Sequence, residues 1–175
     1  KGYRANNGPG YAYDGMNQNF SGYASYGRPE VPYAKACYGS VFAPFDWGSG
    51  SVIHTGSFNT RGDAGGAVKI SVKGAMHLDG TINADGTHEY DTAPTGGSIY
   101  LDVGVLSGSG SISAAAGTIG QPVDRRGSGG RIAIYESLNS MHGAFEGKIK
   151  AYGGFWGSNH TGCGTIYLES GDDIP

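Results

Sequence analysis

Charge is sparse in this chain, and that narrows its partners first. Only 15% of the residues are Asp, Glu, Lys or Arg, and the balance is −3. No basic run or patch stands out, which argues against a nucleic-acid partner. Long apolar runs are missing too: no stretch approaches the roughly 18 residues that a membrane-spanning helix needs. Sustained helical periodicity is absent throughout, and residues 136–146 are the single stretch where a helical turn is expected. Cysteine occurs twice, at Cys37 and Cys163. The five histidines (54, 77, 88, 142 and 160) show no metal-ligand spacing. The chain begins at Lys1 and ends at Pro175, which suggests a processed product or part of a longer chain.

Glycine, in contrast, is abundant. It fills 34 of 175 positions, about 19%, against a usual share of about 7%. Its placement is periodic. The phrases Gly66-Ala-Val-Lys-Ile-Ser-Val72, Gly97-Ser-Ile-Tyr-Leu-Asp-Val103, Gly130-Arg-Ile-Ala-Ile-Tyr-Glu136 and Gly164-Thr-Ile-Tyr-Leu-Glu-Ser170 are near copies. Aligning Val68, Ile99, Ile132 and Ile166 gives spacings of 31, 33 and 34 residues. A period of that size marks a repeat architecture.

Each phrase alternates apolar and polar residues, as Ile99, Leu101 and Val103 do against Tyr100 and Asp102. That is the pattern of a strand with one buried face. A shorter phrase follows in each repeat: Gly80-Thr-Ile-Asn-Ala84, Gly110-Ser-Ile-Ser-Ala114 and Gly147-Lys-Ile-Lys-Ala151, with Gly56-Ser-Phe-Asn-Thr60 as a possible earlier copy. Ile82 with Ala84, Ile112 with Ala114, and Ile149 with Ala151 would point inward. A single unit cannot bury its apolar face, whereas stacked units can. The expected fold is therefore all-β: a short parallel β-solenoid of about four coils, about 20 Å long at about 4.8 Å per strand. A β-sandwich with accidental similarity between strands is the alternative.

Residues 1–38 form an irregular arm rich in Tyr and Gly, and residues 39–175 form the solenoid domain. Within that domain, 39–64 are expected to make a cap or first coil and 65–170 the repeats. Seven of the twelve tyrosines lie in the arm. Tyrosine offers large contact area and a polar tip, so the arm either folds over its own solenoid or lies on a neighbouring subunit. Phe42, Phe45 and Trp47 suit a cap over an open end, where unpaired strand edges are a liability. Loops 86–96, 117–129 and 153–163 separate the coils and would gather on one side, a common binding face.

The phrases Gly97-Ser-Ile-Tyr-Leu101, Leu106-Ser-Gly-Ser-Gly-Ser-Ile-Ser-Ala114, Gly130-Arg-Ile-Ala-Ile-Tyr135 and Gly164-Thr-Ile-Tyr-Leu168 resemble a glycine-rich β-helical repeat region of large secreted and cell-surface proteins. Bacterial adhesin-like proteins carry it, and it is similar to segments of mastigoneme-type proteins, which build tubular hairs on the flagella of stramenopile algae. The likeness covers about residues 38–170. It implies an extracellular structural or adhesive role and carries over no catalytic residue.

In that setting an even cysteine count invites an intrachain Cys37–Cys163 disulfide. It would close a loop of about 125 residues and stabilise by about 2–4 kcal/mol. Two free buried thiols, or bonds to neighbouring subunits, are the rivals. Asn19-Phe20-Ser21 and Asn159-His160-Thr161 are sequons and candidate glycosylation sites. Arg61-Gly62-Asp63 is better explained as turn chemistry than as an integrin ligand. Parallel β-helices also include enzymes that cut acidic polysaccharides. Asp79, Asp85, Glu89, Asp91, Asp102 and Asp124 are the carboxylates to consider, but none has calcium-loop spacing. The expectation is a non-enzymatic homo-oligomer without cofactor: a helical filament or surface appendage joined by solenoid ends and by Tyr3, Tyr11, Tyr13, Tyr23, Tyr26, Phe45 and Trp47. Such head-to-tail contacts make fibres when the rotation does not close. The alternatives are a glycan-binding adhesin module using Tyr90, Phe155 and Trp156, and a polysaccharide lyase or hydrolase.

Overall fold

The computed structural model describes residues 1–4, 7–13, 19–25, 37–52, 61–88, 92–118, 127–137, 145–156 and 159–171. Among these, every regular element is a strand. Strands β1 (Tyr11–Tyr13) and β2 (Asn19–Ser21) form an antiparallel ribbon, as do β3 (Ser51–Val52) and β4 (Arg61–Gly62). The repeats then supply β5 (Ala67–His77), β6 (Thr81–Asn83), β7 (Ser98–Ser107), β8 (Ser111–Ser113), β9 (Arg131–Glu136) and β10 (Lys148–Lys150). A third ribbon pairs β11 (Phe155–Trp156) with β12 (Asn159–His160), and β13 (Thr165–Ser170) closes the series.

Two parallel sheets carry the architecture. The larger has the order β13-β9-β7-β5 and the smaller β10-β8-β6. The register of the larger sheet is the alignment of the repeats. Val68 lies opposite Ile99, Ile99 opposite Ile132, and Ile132 opposite Ile166. In the smaller sheet Ile82, Ile112 and Ile149 stand in one row. These rows meet in one core containing Ile99, Leu101, Val103, Ile112, Ala114, Ile132 and Ile134. The alternation read in each phrase thus sets which face is buried, since a slip of one residue would turn every isoleucine outward.

The glycine pair before β5, β7 and β9 has a steric cause. A Cβ on Gly97 would lie 1.9 Å from the Gly66 carbonyl oxygen, and one on Gly96 2.1 Å from that of Ala114. Successive repeats close onto each other at this corner: the Gly97 amide donates to the Ala84 carbonyl at 2.8 Å, and the Gly130 amide to that of Ala114 at 2.7 Å. Asp85 ties neighbouring repeats at a second corner, accepting from Ser113 Oγ and the Ala115 amide, each at 2.6 Å.

One expectation changes. Residues 39–47 do not cap an end of the larger sheet. They cross its outer face instead, because aromatic side chains standing on that face give Phe42 and Phe45 a surface to pack on. The helical turn expected over 136–146 falls mainly on residues 138–144, which lie outside the described residues; at its ends Glu136 closes β9, the Ser137 amide donates to the Val103 carbonyl, and Phe145 makes a parallel bridge with Gly108.

Candidate assembly edges and an aromatic, acidic pocket

On the outer face of the larger sheet, three rows run across the strands. They are Ala67-Ser98-Arg131-Thr165, Lys69-Tyr100-Ala133-Tyr167 and Ser71-Asp102-Tyr135-Glu169. Tyr100, Tyr135 and Tyr167 form a zigzag, with ring centroids 5.3 and 5.6 Å apart. The crossing segment packs on this ladder. Phe45 lies 5.1 Å from Tyr100, Phe42 stands edge-on to Tyr167 at 4.9 Å, and Tyr135 donates its hydroxyl to the Phe42 carbonyl at 2.7 Å. Ala133 faces this strap and is fully buried, so its small side chain lets the strap sit close.

The N-terminal residues are held by the first row. Tyr23 is fully buried, which corrects its expected role as an assembly contact. Its amide donates to Ser128 Oγ at 2.8 Å and its hydroxyl bonds Ser98 Oγ. Burial pushes the Tyr23 phenol up to about 12, against the lowering effect of its Ser98 bond. Tyr38 is raised further, again chiefly by burial, and its hydroxyl bonds the Trp47 carbonyl and Ser49. Arg131 is buried as well. Its Nε and Nη2 donate to the Tyr38 carbonyl at 3.2 and 2.9 Å, its Nη1 to Thr165 Oγ1 at 3.3 Å, and its guanidinium lies over the Tyr23 ring at 5.4 Å. Lys1–Tyr3 lie on the turn before β5, where the Gly2 amide donates to the Ala64 carbonyl.

Cys37 and Cys163 are both free and exposed, so the expected disulfide is not formed. The join it would have made is made without a covalent bond, because Arg131 connects Tyr38, next to Cys37, with Thr165, two residues beyond Cys163. Tyr3 packs edge-on against Trp47 at 5.6 Å. Phe45 and Trp47 each stay about half exposed although both have aromatic neighbours. Tyr11 is partly buried. Tyr13 pairs by its backbone with Asn19, and Asn159 with Trp156, which places both sequons on antiparallel ribbons. Tyr26, Tyr90, Glu89, Asp91 and Asp124 lie outside the described residues. Asp63 is engaged, taking Lys1 Nζ at 3.1 Å.

β13 and β5 are the outer strands of the larger sheet, and among the described residues no further strand pairs with either. On β13, Ile166 and Leu168 are 45% and 51% exposed, whereas their row neighbours Ile99, Leu101 and Ile132 are at 0%. On β5 every residue is at least partly exposed, Val68, Ile70 and Val72 included.

A pocket of about 270 Å³ opens on the outer face, lined by Tyr100, Asp102, Tyr135, Glu136, Ser137, Glu169, Ser170 and Gly171. Three carboxylates, Asp102, Glu136 and Glu169, converge there. Glu136 accepts from the Leu106 amide and Glu169 from the Tyr167 hydroxyl, each at 2.7 Å. Burial raises both Tyr100 and Tyr135; after it come the charges of Asp102 and Glu169 at Tyr100, and of Glu169 at Tyr135. Of the other carboxylates considered, Asp79 and Asp85 bond neighbouring repeats, and backbone bonding from Ser109 holds Asp79 below its ordinary range. Among the described residues, no group of His, Cys, Asp and Glu has the arrangement to hold a metal ion.

No protein-family model, curated protein or solved structure matches the chain. Sequence reasoning missed Arg131 and the pocket. Arg131 did carry a signal: it is the charged residue in a row otherwise filled by Ala67, Ser98 and Thr165.

Proposed function

We propose that the chain is a short parallel β-solenoid serving as a structural subunit of an extracellular filament or surface appendage. Strand, turn and short strand recur in the same order, and equivalent strands pair in parallel in both sheets. The observation that carries the assembly reading is the unfinished apolar stripe, which runs from Ile99 through Ile132 and ends at Ile166 in water. An open strand edge flanked by apolar side chains is a template for another chain. The repeat phrases that resemble secreted and cell-surface β-helical regions support the extracellular setting, with glycans on Asn19 and Asn159 as part of that reading.

Sedimentation velocity across a concentration series tests this. Growth of large species with concentration is expected, and Ile166→Asp should hold the chain monomeric with an unchanged circular dichroism spectrum. A native chain that stays monomeric throughout would sink the reading.

One observation favours a second reading, a glycan-binding module. The pocket sets two tyrosine rings beside three carboxylates, able to stack on a sugar ring and accept its hydroxyls. Glycan-array binding lost in Tyr135→Ala, with sedimentation unchanged, would favour it.

A further inference from the structure

The two outer strands of the larger sheet are matched to each other. They belong to one parallel sheet whose strands share one register, so a translated copy can place its β5 beside β13. We propose that β13 of one copy pairs in parallel with β5 of the next, Ile166 beside Val68, Leu168 beside Ile70, and Glu169 beside Ser71. This rests on the assembly reading and names its joint.

Three features argue for a second copy as the occupant. The register follows from the chain itself: Ile132 takes Ile166 on one side and Ile99 on the other, and both edge strands repeat that spacing. The apolar content matches, since half-exposed Ile166 and Leu168 would meet the partly exposed Val68 and Ile70. Charge is complementary as well. The outward side chains of β5 include Lys69 and Lys73, both exposed. Those of β13 include Thr165, Tyr167 and Glu169, and the pocket behind them adds Asp102. Lys69 already lies 5.2 Å from the Tyr100 ring in its own chain. Tyr167 of the preceding copy would flank it on the other side. Lys1 covers the glycine turn before β5, so the joint begins at Ala67.

Cysteine crosslinking tests the register. In a Cys37→Ser, Cys163→Ser background, Ser71→Cys with Glu169→Cys should give a ladder of covalent oligomers on mild oxidation. Either substitution alone can give at most dimers. Ser71→Cys with Tyr167→Cys, displaced by two residues, should crosslink far less. Lys73→Glu should raise the concentration needed for assembly by at least about tenfold. Filaments that crosslink better through the displaced pair, or not at all, would overturn the register and leave the assembly reading standing. A wild-type chain that never assembles would defeat both.

Discussion

The cost of truncating one isoleucine should depend on its place in the stack. Ile132 and Ile166 are neighbours in one row, yet Ile132 is at 0% exposure and Ile166 at 45%. Trimming either to Ala removes three carbons, worth about 2.4 kcal/mol at about 0.8 kcal/mol per buried carbon. At Ile132 the full amount is lost, and the void between Ile99 and Ile166 adds a cavity cost, for a total of about 3–4 kcal/mol. At Ile166 about half the surface is already wet and the gap opens to water. The expected loss is about 1 kcal/mol. Urea denaturation of the dilute chain, followed by far-ultraviolet circular dichroism, measures both. Equal losses would mean that Ile166 is covered in solution and that the stripe is closed. A loss under about 1 kcal/mol at Ile132 would mean that this row is not the core.

Further outcomes follow from the same contacts. The folded pKa of Tyr23 lies above its unfolded value near 10, and that of Tyr38 is raised too. Their contribution should be complete below pH 10 and fall as pH rises toward 12, by about 1.4 kcal/mol per pH unit for each phenol; a urea midpoint that stays flat from pH 10 to 11.5 would contradict this. Gly97→Ala should cost about 3 kcal/mol or more, since the new carbon overlaps the Gly66 carbonyl; near-wild-type melting would refute the close approach. Arg131→Ala should cost about 2–4 kcal/mol by removing the donors that bond Tyr38 and Thr165. Arg131→Lys should recover only part of this, because an ammonium lacks the planar fork. Full recovery in the melting temperature would count against the two-sided grip.

The parallel sheets were legible in the sequence because their cause is local and repeated. Alternation marks the buried face, and the spacing from Val68 to Ile166 aligns the strands. The Gly-Gly pairs before β7 and β9 were visible, but their reason appears only when carbonyls of adjacent repeats are placed. What stayed hidden depends on contacts between unlike segments. Nothing in the phrase Phe42-Ala-Pro-Phe45 distinguishes a cap from a strap. The difference lies in Tyr100, Tyr135 and Tyr167 standing on one face, which needs the register first. Tyr23 reads like any other tyrosine of the arm, yet it is seated against Ser98 and Arg131, residues more than 70 positions away. The even cysteine count suggested a bridge where Arg131 makes the connection. The pocket gathers side chains from three repeats, so no local motif announces it.

The central claim is that copies of this chain continue one another's sheet. Electron microscopy of the native protein at moderate concentration, without crosslinker, tests it most directly. Four strands per copy at about 4.8 Å each predict filaments with an axial rise of about 19 Å per subunit. Isolated particles at every concentration would contradict the account.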